Sequence, residues 1–105
     1  MADGPGLSYS SATILQALSV GYLYGYTIME ATGLPSGTVY PALRRLEGDQ
    51  LIRSQWERQS AADAALRPPR RYYKLTRSGE AALGVSRKRY PLLAKLSHKE
   101  EVQDV

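Results

Sequence analysis

The residues of this 105-residue chain that can do chemistry are guanidiniums and phenols. Arg44 and Arg45 are adjacent, and Arg67, Arg70, Arg71 and Lys74 fall within eight residues of one another. Tyr40 precedes the first group, and Tyr72 and Tyr73 sit inside the second. A guanidinium presents a rigid fork of donors that fits a phosphate or a base edge. A tyrosine adds an apolar ring with a polar tip, and the chain has eight Tyr, one Trp and no Phe. Acid-base and nucleophilic chemistry is poorly supplied. There is no Cys and a single His, His98, with no visible partner. Disulfides, thiolate nucleophiles and Cys-based zinc sites are therefore excluded. No paired carboxylates or Gly-rich phosphate loop stand at a useful spacing. The sequence argues against an enzyme and implies no cofactor and no metal.

Charge distribution says more than the net +4. Residues 1–35 hold only Asp3 and Glu30, whereas residues 36–90 hold twelve Lys/Arg against five acids. Concentrated positive charge fits a polyanion-binding surface, with ordinary solvated charge as the plainer alternative. Apolar residues make up 43% and charged residues 23%, as in soluble globular chains, and the length suits one domain. The apolar runs are far shorter than the roughly 20 residues of a membrane span. The N-terminus lacks a basic start and a long apolar stretch, so a cytoplasmic location is expected.

The positioning elements follow from periodicity and punctuation. Ser10 or Ser11 is expected to cap a first helix with Ile14, Leu15 and Leu18 on one stripe. Gly21 stops it, and Tyr22-Leu23-Tyr24 is short and β-prone. Gly25 opens a second helix, Tyr26 to Thr32, with Tyr26, Met29 and Ile28 as candidates for its inner face, and Gly33 ends it. Ser36 is expected to cap a third helix, Gly37 to about Asp49. Val39, Ala42, Leu43 and Leu46 form its apolar stripe, leaving Gly37, Tyr40, Pro41, Arg44, Arg45 and, at the edge, Thr38 on the other side. Pro41 implies a locally adjusted first turn. Leu51 to Glu57 reads as a strand with Ile52, Ser54 and Trp56 on one side. Residues 58–69 read as a long polar loop, and Arg70 to Leu75 as a second strand. Thr76 caps a last helix, carrying Ala81, Ala82, Leu83 and Val85, which Pro91 interrupts before Leu92, Leu93 and Leu96.

Two helices joined by a short Gly-containing turn make a helix-turn-helix, and the hairpin behind them makes it winged. The expected fold class is mainly α with a small β-hairpin: a winged helix-turn-helix with a C-terminal helix. Residues 1–9 are expected to form a flexible lead, 10–80 the winged domain, 81–97 a C-terminal helix, and 98–105 a polar tail. A major groove about 12 Å wide admits one α-helix. The third helix would turn Tyr40, Arg44 and Arg45 to a DNA duplex, with its N-terminal amides favouring a phosphate near Ser36 and Thr38. Arg67 and Arg70, then Arg71, would meet phosphates from the wing, because alternate strand residues face opposite ways.

The run SGTVYPALRRLE at residues 36–47, with Leu51-Ile52, Trp56-Glu57, Pro69 to Tyr73 and Leu75 to Gly79 behind it, resembles the PadR family of bacterial transcription regulators. Gly25-Tyr26 matches the start of that family's second helix, and the likeness runs from about Ala12 to Leu83. It implies a homodimer, joined through the C-terminal helix at 81–97, on a palindromic double-stranded DNA operator, usually a repressor, released by a small aromatic or drug-like effector whose site the sequence leaves unknown. A dimer implies half-sites about one helical turn apart. Three stretches depart from the pattern: a short segment between Tyr26 and Ser36, an extra SAADAAL stretch in the wing, and a short C-terminal helix containing Pro91.

Plainer roles exist for each residue. Arg44 is also placed to pair with Glu47 three residues on. Tyr40 is also a candidate for partial burial, Tyr72 and Tyr73 are strand formers, and Trp56 is expected in core or interface packing. The competing function is a winged helix that binds an acidic protein without binding DNA. A steep fall of duplex affinity with salt separates the two.

Overall fold

The computed structural model describes residues 6–96. Five helices, α1 (Tyr9–Ser19), α2 (Gly25–Thr32), α3 (Ser36–Gly48), α4 (Gln59–Ala64) and α5 (Arg77–Arg89), accompany two strands, β1 (Ile52–Trp56) and β2 (Arg71–Leu75), and a 3-10 turn at Pro91–Lys95. The expected mainly helical fold with a two-stranded antiparallel hairpin is the one observed. The expectations for the polar tail and His98, and most of the N-terminal lead, lie outside the described residues.

Helix α1 is the hub, packing against α2, α3, α5 and β2. Its Ala12, Ile14, Leu15, Ala17 and Leu18 join Ile28 of α2, the α3 stripe, Ile52, Leu83 and Leu93 in one core. Each of the larger aliphatic side chains contributes about 1.5–3 kcal/mol through burial. The cap of α1 is Ser8, whose Oγ accepts the Ser11 N–H at 3.1 Å, not Ser10 or Ser11. The helix starts earlier than periodicity suggested, and Ser11 is buried inside its first turn. Gly33 ends α2 in the left-handed conformation that glycine adopts without strain, φ 76°.

Helix α3 behaves as its periodicity requires: Val39, Ala42, Leu43 and Leu46 are all buried. Its N-cap is Pro35, whose carbonyl accepts the Thr38 and Val39 N–H groups, so Ser36 is the first helical residue and makes no capping bond. The helix runs through Pro41 without interruption. Pro41 and Gly37, whose carbonyl loses its usual donor, both lie on the exposed face, where water substitutes.

The hairpin pairs Ile52 with Leu75, Arg53 with Lys74, Ser54 with Tyr73, Gln55 with Tyr72 and Trp56 with Arg71. The β-prone Tyr22–Tyr24 segment contributes a single bridge, Tyr24 to Tyr72, and the Tyr73 N–H donates to the Leu23 carbonyl at 2.8 Å. The expected loop at 58–69 instead contains α4. Its Ala-rich sequence has high helix propensity, Ala62 is buried, and Gln59 Nε2 donates to Asp63 Oδ1 at 2.8 Å. It ends in a Schellman motif, in which the Leu66 N–H meets the Asp63 carbonyl and the Arg67 N–H the Ala62 carbonyl. Leu66 occupies the left-handed position, φ 61°, where glycine is usual.

Thr76 caps α5 as expected, accepting the Gly79 N–H at 3.0 Å. Its own hydroxyl donates to the Gln50 carbonyl, tying the start of α5 to the start of the hairpin. Helix α5 stops at Arg89, before Pro91. Gln16 then fastens the C-terminal segment: its Nε2 donates to the Leu96 carbonyl at 3.1 Å, and its Oε1 accepts from Arg87 Nε at 2.9 Å. No helix of the described residues is long and apolar enough to cross a membrane.

Candidate nucleic-acid interface

One face of α3 is buried by its aliphatic stripe, so the other must look outward. Ser36, Gly37, Tyr40, Pro41, Arg44 and Arg45 are exposed, and Thr38 is half-buried at the edge. The axis of α3 is held by the core below and by the hairpin beside it. An open groove of about 700 Å³ lies between α3, the start of α2 and the wing, bordered by Tyr26, Tyr40, Trp56, Arg70, Arg71 and Tyr73 among others. Helix α3, through Tyr40, and the hairpin therefore contribute to one surface.

The joint between them is polar. Ser54 Oγ donates to Glu47 Oε2 at 2.7 Å and accepts from Arg71 Nε at 2.9 Å. Arg71 Nη2 lies 3.5 Å from Glu47 Oε1. Glu47, at the far end of α3, thus pairs across to the hairpin. The guanidinium of Arg71 also lies 5.4 Å from the centroid of the Trp56 ring. Arg71 is partly exposed, so it is oriented without being sealed away. Nearby, burial pushes the Tyr73 phenol up from its ordinary pKa, against the opposing pull of the Arg71 and Arg44 guanidiniums. Tyr73 keeps its proton at neutral pH and remains a hydrogen-bond donor.

The wing residues divide by environment. Arg70 places its guanidinium 4.2 Å from the centroid of the Tyr24 ring, which Tyr72 meets edge-on at 5.5 Å. Arg67 is differently placed. Its two terminal nitrogens grip Glu57 at 2.6 and 3.0 Å, and Glu57 Oε1 also accepts the Arg70 N–H at 3.1 Å. This guanidinium holds the Glu57 carboxyl down at about 2. The charge of Arg67 is largely met within the chain, and the residue braces the wing behind Arg70.

Two aromatic side chains lie outside the core. Of the core or interface packing expected for Trp56 the core half is corrected: it is 59% exposed at the end of β1, beyond the reach of the core that covers Ile52. Tyr26 is equally exposed, because α2 buries Gly25, Thr27 and Ile28 and leaves Tyr26 facing the groove. Gly25 has a specific task. A Cβ there would sit 2.6 Å from Cε1 and Cζ of Tyr40, so only glycine lets that ring lie over the start of α2.

Sequence reasoning did not find Glu47, Ser54 or Glu57 as partners of the arginines. The signal for Glu57 was its place at the end of a strand opposite a basic one, where cross-strand charges pair. Glu47 was considered only as a helical partner of Arg44. Its pairing with Arg71 depends on how α3 docks beside the hairpin, which no local spacing encodes.

The model of the transcriptional regulator PadR-like family matches residues 14–85, most of the described chain. The chain belongs to the PadR-like family of transcriptional regulators. A PadR-like transcription factor from Bacteroides fragilis is 30% identical, with a TM-score of 0.65 over 82% of this chain and 84% of that one. A PadR family regulator from Clostridium difficile R20291 is 28% identical, with a TM-score of 0.69 over 85% of this chain and 94% of its own. A transcriptional regulator from Clostridium thermocellum is 25% identical, with a TM-score of 0.66 over 84% and 88%. Comparison with curated proteins found no match. The winged helix-turn-helix architecture expected from the sequence is thus shared with PadR regulators, a family of transcription regulators and not of enzymes.

Proposed function

We propose that this PadR-like regulator binds double-stranded DNA sequence-specifically, with α3 in the major groove and the wing over the adjoining backbone. The observation that carries this reading is the shared surface of α3 and the hairpin. Tyr40 lines the groove from α3, where Arg44 and Arg45 also stand exposed, while Arg70 and Arg71 border it from the wing. In it Tyr40, Arg44 and Arg45 read bases or flanking phosphates, and the start of α3 at Ser36 and Thr38 takes a phosphate. Arg70 and Arg71 contact the backbone. Arg67 supports them through Glu57, and its own phosphate contact is the weakest of the set because its fork is occupied.

Regulation in this reading is repression by a homodimer in the cytoplasm, relieved by a small aromatic or drug-like effector. Support for a dimer comes from Val85 on α5 and Leu92 just beyond it, large aliphatic side chains left exposed. Support for an effector comes from the family alone. Selection of bound duplexes from a random pool, with the mass of the complex measured alongside, tests the reading. It predicts a palindromic winner carrying two chains. Failure to bind any duplex at low salt overturns it and favours docking to an acidic protein.

A further inference from the structure

The hairpin has a second face, and its charges are arranged at a cost. Arg53 and Lys74 stand directly opposite each other in the β1–β2 register. Like charges at such a position repel across the strands. Arg77, close by, is the first residue of α5, where the helix dipole disfavours a cation. All three are exposed and line one hollow of about 730 Å³. Leu23, Gln55 and Tyr72 also border it, and no acidic residue does. Among the described residues the ion pairs join Arg67 to Glu57 and Arg71 to Glu47, and neither uses these cations. Of the acids near by, Glu47, in the adjoining hollow with Arg53 and Arg77, is held by Ser54 and Arg71, and Glu80, three residues along α5 from Arg77, forms no ion pair with it. Among the described residues the acids thus meet Arg71 at the joint with α3 and Arg67 near the tip of the wing, and leave Arg53, Lys74 and Arg77 at its base unmatched.

We infer that Arg53, Lys74 and Arg77 form a second phosphate-binding site, on the face of the wing turned away from the α3 groove. Its occupant is the sugar-phosphate backbone of the duplex. The geometry of the wing favours this partner. The minor groove is about 6 Å wide and is walled by a phosphate row from each strand. A two-stranded ribbon straddling it meets one row with each face. Arg71 serves the row on the α3 side, Arg53, Lys74 and Arg77 serve the opposite one, and Arg70 lies toward the tip between them. The start of α5 adds its own positive end to the same hollow. Lys74 was visible in the sequence as part of a basic strand, but Arg53 and Arg77 gain meaning only once register and helix docking bring them beside it.

The inference rests on the DNA-binding reading, and its test separates the two. Arg53→Thr with Lys74→Thr replaces a repelling pair by a β-forming one, so the hairpin is retained. Arg77→Gln is made separately on α5, and circular dichroism confirms that both variants fold. Binding to a duplex of about 30 base pairs is measured against salt for each variant and the wild type; each lost phosphate contact flattens the log-log slope by about 0.9. The expected result is a slope lower by about 2 for the double variant and about 1 for Arg77→Gln, with the preference for a selected site over random DNA unchanged. In a hydroxyl-radical footprint on the selected duplex, protection fades on one strand at the wing and persists on the other. Wild-type binding with unchanged slopes and footprints in both variants overturns this inference alone. Absence of salt-dependent duplex binding by the wild type overturns it together with the DNA-binding reading.

Discussion

Replacing Gly25 by Ala tests how the exposed face of α3 is held. The added Cβ would lie 2.6 Å from two carbons of the Tyr40 ring, a separation that non-bonded atoms do not adopt. The ring must move, and it has room because Tyr40 is 44% exposed. Displacing a partly exposed ring forfeits its packing over α2 and costs about 1 kcal/mol. With Tyr40→Ala the obstacle is gone, and at the first residue of a helix Ala in place of Gly is close to neutral. Gly25→Ala therefore destabilises only while the ring is present, a coupling of about 1 kcal/mol. Urea unfolding of the wild type, both single variants and the double variant, followed by circular dichroism, measures it. Because the displaced ring belongs to the proposed reading surface, Gly25→Ala should also weaken the selected duplex about tenfold while leaving random DNA nearly unaffected. Equal destabilisation by Gly25→Ala in both backgrounds would refute the reasoning, since the ring would then not be what the Cβ meets.

Leu66→Gly should stabilise the chain by about 1 kcal/mol, because Leu66 stands at φ 61° and is 92% exposed, so the strain goes and little burial is lost. The check is a rise in melting temperature of about 4 °C. Glu57 titrates at about 2 when folded, below its ordinary value of 4.5, so its bond to Arg67 supports the wing above about pH 4.5 and is lost as the pH falls toward 2. Acid titration followed by Trp56 fluorescence should show this transition, and Glu57→Gln should remove it. Arg70→Ala should weaken all duplexes alike and lower the salt slope by about one unit. Arg44→Ala should cost the selected duplex about 1–3 kcal/mol more than random DNA, measured by fluorescence anisotropy.

What the sequence disclosed and what it hid divide along a physical line. The stripe of Val39, Ala42, Leu43 and Leu46, the Thr76 cap, the break at Pro91 and the hairpin strands are set by local periodicity and backbone chemistry. All of them appear in the structure within a residue or two. Helix α4 was hidden because six residues are too few to show a period, and its Ala-rich run beside Pro68-Pro69 reads as a loop until Ala62 finds a place to bury. Tyr26 was expected on an inner face and Trp56 in core or interface packing because large rings usually are covered, yet both line the groove and stand exposed. The joint of Glu47, Ser54 and Arg71 is a product of docking: three residues from α3, β1 and β2 meet only once register and packing are set. The exposed arc of α3 was legible. The partners that orient or occupy the wing arginines were not.

The most direct test of the central claim, that the outward arc of α3 lies in the major groove, is dimethyl sulfate protection on the selected duplex. The reagent methylates guanine N7 in the major groove and adenine N3 in the minor groove. Protection of N7 at the centre of each half-site, lost on Arg44→Ala, is the predicted result. Unprotected N7 throughout a bound half-site containing guanine would contradict it.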